Sequence, residues 1–235
     1  MFFSEEGKLI PLKDDNPRVL TPYFNYGLLL CNIAIFFYQL SRPDGDAFVH
    51  AYGAIPADIM AGTHLSGLFS AMFLHGGWMH LLGNMLYLWI FGDNIEGLMG
   101  HPRYIVFYLL CGVAATMSHI AMMPNSDEPM IGASGAISGV LGAYLVKFPR
   151  ARILILVPIF ICLTTFRIPA LFVLGFWFLT QLANSVGIFA DVGSGNVAWF
   201  AHIGGFVAGL LLVKLFERKH GFESFRRREV ENGFE

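Results

Sequence analysis

Four polar side chains interrupt strongly apolar runs: His80 and Asn84 in MHLLGNMLYLWIF (79–91), Ser134 in GASGAISGVLGA (132–143) and His202 in AHIGGFVAG (201–209). Such groups are costly inside a membrane-grade segment and mark function by default. A serine hydroxyl is a weak nucleophile until a positioned base takes its proton, and histidine titrates close enough to neutrality to do so. Acyl transfer to that oxygen also puts negative charge on the attacked carbonyl, which needs donors. The Ser134 backbone N–H at a helix start, the Asn84 amide and a His80 ring N–H are the candidates. A serine in a glycine-rich strip is, taken alone, a packing residue, and a lone histidine is as readily structural. The conjunction of the four carries the reading.

These residues must be positioned by membrane helices. The 235-residue chain is 55% hydrophobic and 14% charged, with its apolar residues gathered into separate runs, as in a polytopic membrane protein. Hydropathy predicts spans at 22–40, 79–91, 104–123, 134–146, 168–186 and 197–216. Of the fifteen Lys and Arg residues, all but Arg42 fall on the side of the termini. The positive-inside rule therefore predicts both termini in the cytoplasm. The expected organisation is a cytoplasmic segment at 1–20, a six-helix membrane domain at 21–217 and a polar, mobile cytoplasmic tail at 218–235.

A net charge of −2 with dispersed basic residues excludes a nucleic-acid reading surface. Cys31, Cys111 and Cys162 form no CxxC or Cys/His spacing, so they are expected to pack as small apolar groups. The amino terminus lacks a small-residue cleavage site and does not read as a signal peptide. The long connection 41–74 is half apolar and rich in Gly and Pro, and is expected to lie partly in the membrane interface. The stretch ARILILVPIFICLTTFRI (151–168) is broken by Pro158 and bracketed by Arg152 and Arg167. It is expected to hug the cytoplasmic membrane surface rather than cross.

Heights can be counted from Asp93, Lys147 and Glu217, taken as inner-surface markers. His80 lies thirteen residues above the first, Ser134 thirteen above the second and His202 fifteen above the third. At 1.5 Å per residue these rises are about 20, 20 and 22 Å in a core of about 30 Å. All three fall in one layer, with Asn84 one turn deeper on the face of His80. The fourth span is too short to cross, so water from outside is expected above its amino-terminal end. Gly135, Ser138, Gly139 and Gly142, with Gly205 and Gly209 below His202, form two small-residue strips that allow close helix approach. Since no carboxylate lies in the layer, a Ser134–His202 dyad is expected rather than a triad.

Taken together, FLHGGWMHLLGNMLYLWIFGDNIE (73–96), GASGAISG (132–139) and AHIGGFVAG (201–209) resemble the rhomboid intramembrane serine proteases, over roughly residues 20–217. The resemblance implies a six-transmembrane-helix, all-α bundle with a short central helix and a half-submerged first outer loop. It implies Ser134 as nucleophile, His202 as base, His80 and Asn84 as oxyanion donors, and His75 as a residue holding the loops of the site. Its activity would be cleavage of a transmembrane protein substrate near the outer membrane face, with small residues beside the cut and helix breakers below it. The fifth span would be the helix beside which substrates approach, and membrane lipids the surroundings.

Two departures stand out. HLSGLFSAMFLH (64–75) lacks the Trp-Arg pair of many relatives, and Ser138 stands where some carry an aromatic that stacks on the catalytic histidine. Two other classes compete. Three histidines with a serine suit a zinc hydrolase, though the chain has no HExxH. An inactive rhomboid-like protein that binds membrane helices without cutting them is the non-enzyme alternative. No cofactor or metal is expected. By analogy of size, a bacterial plasma membrane is expected in preference to an organelle.

Overall fold

The computed structural model describes residues 10–159, 162–187 and 198–231. A strand, β1 (Ile10–Asp14), precedes the long helix α1 (Tyr23–Leu40). The connection after it folds into short helices α2 (Gly45–Tyr52), α3 (Pro56–Met60) and α4 (Gly67–Ser70) and a 3₁₀ turn at Ala71–Phe73. Then come α5 (Trp78–Met99), α6 (His101–Met122) and α7 (Ser134–Lys147). The hairpin β2 (Arg152–Ile159) and β3 (Cys162–Pro169) follows, then α8 (Ala170–Ser185), α9 (Trp199–Phe216) and α10 (Gly221–Glu231). A helix thus stands at each hydropathy peak. α1, α6 and α9 are long and apolar enough to cross a membrane by themselves.

The bundle is built around α7, whose residues Ser134–Tyr144 are all buried. Helices α6 and α9 flank it at close range because their facing residues are small. A Cβ on Gly205 would stand 2.0 Å from the Gly135 carbonyl oxygen, one on Gly209 1.9 Å from that of Gly139, and one on Gly142 2.3 Å from that of Phe206. On the α6 side, a Cβ on Gly139 would meet Cys111 Cβ at 2.4 Å and one on Gly204 would meet Ser118 Cβ at 2.2 Å. Backbone therefore rests on backbone along α7 and α9, the arrangement small residues permit where helices have no hydrophobic drive to associate.

Two parts of the fold differ from expectation. The chain is not all-α, because 152–169 forms an antiparallel hairpin whose first strand also pairs with β1 in the order β1-β2-β3. Ile153 and Ile155 are buried at period two, and the β-branched content of the run favours a pleated surface over a helix. Pro158 lies beyond Leu156, the last residue of β2 that pairs with the described residues of β1. Of the tail expected to be polar and mobile, residues 221–231 form α10, and 232–235 lie outside the described residues. α10 packs Phe225 against Phe148, and Arg218 donates to the Gly97 carbonyl.

Charged and polar groups tie the ends of the elements far from Ser134. The Glu96 carboxylate accepts the amides of Phe24 and Asn25, capping α1, and pairs with His101. Lys147 and Glu217 join the ends of α7 and α9. On β1, Asp14 accepts from Tyr144 Oη at 2.5 Å, Asn94 Nδ2 at 2.8 Å and Asn16 Nδ2 at 3.3 Å. Burial pushes the Asp14 carboxyl up to about 7, with Asp93 and Asp15 adding to the rise and the Tyr144 and Asn16 bonds opposing it.

Two outcomes are expected. Gly209→Val, which forces α7 and α9 apart, destabilises by about 1–3 kcal/mol or more. Gly175→Ala, where nothing lies within 4 Å of an added Cβ, leaves thermal stability in detergent unchanged. Because Asp14 holds its proton more tightly folded than unfolded, its contribution is fully present below the unfolded value of 3.8 and is lost as pH rises towards about 7. Wild-type Tm measured from pH 4 to 8 should therefore fall more steeply than that of Asp14→Asn.

Candidate active site

Ser134 is the first residue of α7, so its amide and that of Gly135 belong to the turn whose N–H groups have no carbonyl partner within the helix. His202 lies in the first turn of α9, and the backbone contact between the two helices sets it opposite. His202 Nε2 and Ser134 Oγ are 2.9 Å apart, with His202 2% and Ser134 8% exposed. The expected pairing of these two is present, at the height counted from Lys147 and Glu217.

His80 and Asn84 rise from α5 on the other side. The His80 Nδ1 accepts the Gly76 amide at 3.2 Å, which places its proton on Nε2. Among the described residues the buried Nε2 has no hydrogen-bond partner, and neither do the two buried amide atoms of Asn84. Buried polar atoms left unpaired are exceptions that need an explanation. Gly132, at φ +122°, packs directly against the His80 ring, since a Cβ on it would stand 2.7 Å from His80 Nε2 and 3.6 Å from Ser134 Oγ. The unpaired His80 Nε2–H and the Ser134 hydroxyl therefore border the same glycine. A cavity of about 20 Å³, enough for one water, opens among Met72, Thr116, Gly132 and Ser134.

The loops that carry this edge are held by backbone bonds. Gly132 N donates to the Ala71 carbonyl at 2.8 Å, and Ala54 exchanges bonds with Met130 at 3.0 and 2.9 Å. His75 is fully buried, its ring edge-on to Phe36 and close to that of His80. Its peptide is gripped at both ends by Gln39, whose Nε2 donates to the His75 carbonyl at 2.8 Å and whose Oε1 accepts the His75 amide at 3.3 Å. This clamp from α1 anchors the loop that lacks a Trp-Arg pair. At the other departure, Ser138 Oγ turns back to donate to the Ser134 carbonyl at 2.6 Å. The His202 ring lies instead between Trp177 and Trp199, with centroids at 6.0 and 6.1 Å.

One residue at the site was not anticipated. Gln181 of α8 places Oε1 2.8 Å from His202 Nδ1 and is buried. A search of the layer for carboxylates passes over it. The usable signal is an amide side chain within the apolar stretch ALFVLGFWFLTQL (170–182). Both ring nitrogens of His202 are thereby engaged, and among the described residues no group of three His, Cys, Asp or Glu side chains is placed to hold a metal ion.

A serine hydroxyl thus faces a buried imidazole within a bundle of apolar helices. The chain belongs to the rhomboid family, whose Rhomboid domain matches residues 62–219. It is 32% identical over 195 residues to Rhomboid protein 1, mitochondrial, of Saccharomyces cerevisiae, covering 79% of this chain and 51% of that one. With RHOMBOID-like protein 1 of Arabidopsis thaliana it shares 31% over 186 residues, 77% of this chain and 42% of the relative. The match to Rhomboid protease GluP of Bacillus subtilis is 33% over 127 residues, 53% of this chain and 24% of the relative. The chain thus spans about half the length, or less, of the curated relatives it matches.

Gly132→Ala would set a Cβ 2.7 Å from His80 Nε2 on a backbone of positive φ. It is expected to displace the His80 ring, read from its imidazole NMR shifts, while the Ser134–His202 pairing, read from those of His202, persists.

Proposed function

We propose that this protein is an intramembrane serine endopeptidase that cuts transmembrane proteins near the outer membrane face through a Ser134–His202 dyad. The observation that carries this reading is the 2.9 Å contact of His202 Nε2 with Ser134 Oγ, with the unpaired His80 Nε2 and the Ser134 hydroxyl on the same glycine, Gly132. As Ser134 Oγ bonds to the scissile carbonyl carbon, its proton passes to His202 Nε2. The negative charge that forms on the carbonyl oxygen falls in front of Gly132, where His80 Nε2–H, the Asn84 amide and the free amides of the α7 first turn act as donors. Collapse of this intermediate breaks the C–N bond as Nε2 protonates the leaving amine. A water, deprotonated by the same nitrogen, then frees the acyl group and restores the hydroxyl.

Six spans, α1, α5, α6, α7, α8 and α9, make up the membrane domain in this reading. The charge sorting places both termini on the cytoplasmic side, and Ser134 then opens to the outer side. The connection 41–74 lies in the outer interface. Relatives named as mitochondrial and a relative from a bacterium both match, so likeness favours neither membrane. A substrate helix must unwind to expose a peptide bond to the hydroxyl, which favours small residues at the cut and helix breakers below it.

Labelling by a fluorophosphonate probe tests the reading. Wild type should label and Ser134→Ala should not, with His202→Ala slowed by several orders of magnitude. His80→Ala or Asn84→Ala should lower turnover of a helical substrate about 10²–10³-fold. Labelling unchanged in Ser134→Ala contradicts the assignment, and a folded wild type that takes no label favours the inactive, helix-binding alternative.

A further inference from the structure

α8 exposes Leu171, Phe172, Phe176, Leu179 and Leu182, and buries only Ala170, Leu174 and Gln181. An amide in such a contact is unfavourable unless both ends are bonded. Both are. Oε1 faces His202 Nδ1 at 2.8 Å, while Nε2 donates to the Trp177 carbonyl at 3.2 Å and to Thr180 Oγ1 at 3.3 Å. The reverse orientation of the amide would set its oxygen against the Trp177 carbonyl and its N–H₂ against the imidazole.

This orientation decides the tautomer of the base. Oε1 carries lone pairs only, so the His202 Nδ1 must supply the proton of the 2.8 Å bond. A neutral imidazole has one N–H, and Nε2 is therefore bare and faces Ser134 Oγ as an acceptor. When Nε2 takes the serine proton, the electron pair of the O–H bond stays on Oγ and forms the bond to the carbonyl carbon. Nδ1 keeps its own proton throughout and Gln181 receives none. The imidazolium formed in this buried layer then has the Oε1 end of the Gln181 dipole as its facing negative group, where other hydrolases place a carboxylate.

We infer that Gln181 is a positioning residue of the reaction, which selects the reactive tautomer of His202 and stabilises its protonated form. The inference rests on the Ser134–His202 reading and makes the dyad a Ser–His–Gln arrangement. Its consequence is that α8 must be docked on α9 for the base to be competent.

The test is the rate of fluorophosphonate labelling of the full chain in detergent, followed against pH for wild type, Gln181→Met and Gln181→Glu, with Tm recorded for each. Gln181→Met is expected to slow labelling about ten- to hundredfold and to move the pH midpoint of the rate downwards, because the imidazolium loses its partner. Gln181→Glu is expected to move that midpoint above the wild-type value, since a carboxylate favours the protonated ring. Merely packing α8 would not shift a pH midpoint. Wild-type midpoints in both variants, or slowing only in proportion to lost folded protein, overturn the inference. Failure of wild type to label at all would instead overturn the underlying reading, so the two failures are distinct.

Discussion

The approach of α9 to α7 is the constraint on which the rest depends. A single methyl at Gly205 or Gly209 would sit 2.0 or 1.9 Å from a carbonyl oxygen of α7, well inside van der Waals contact. Any larger residue would part the helices by more than the tolerance of a 2.9 Å bond between Ser134 and His202. Lipid gives apolar helices no reason to associate, so their stability comes from the dense contacts that absent side chains allow. The small residues of GASGAISGVLGA and AHIGGFVAG thus hold Ser134 and His202, in the first turns of α7 and α9, within hydrogen-bond distance of each other.

The other elements secure what this contact leaves open. The α5 side of the site depends on the loop before it. Gln39 grips the His75 peptide, and Gly132 is tied to Ala71, so the backbone on both sides of the His80 ring is held by hydrogen bonds. At the opposite end of the bundle, Glu96 caps α1 and the Lys147–Glu217 pair ties α7 to α9. That pair links the two residues from which the heights of Ser134 and His202 are counted. With both helices starting from a common level, helical rise alone delivers the two side chains to a common layer.

Much of this was legible in the chain. Apolar runs located α1, α5, α6, α7, α8 and α9, of which α1, α6 and α9 are long and apolar enough to cross a membrane, and residue counting matched Ser134 with His202 because helix rise is constant. The three-stranded sheet was not legible at 151–168. A short run of Ile, Leu, Val and Phe suits a buried strand as well as a surface segment, and its partner β1 is remote in sequence. The ordered tail was hidden by its charge, which masked Phe225 and its pocket beside Gly97 and Phe148. Gln181 escaped notice because charge balance directs attention to carboxylates, whereas hydrogen-bond direction needs only a lone pair. Trp177 and Trp199 similarly occupy the flanks of His202 that Ser138 leaves unfilled, a substitution across helices that no local motif reveals.

An experimental structure of the protein after reaction with a fluorophosphonate tests the central claim most directly. The account predicts phosphorus bonded to Ser134 Oγ, with its free oxygen in front of Gly132 and within hydrogen-bond distance of His80 Nε2. A phosphonyl group on any other residue, or an oxygen turned away from His80 towards lipid, would contradict it.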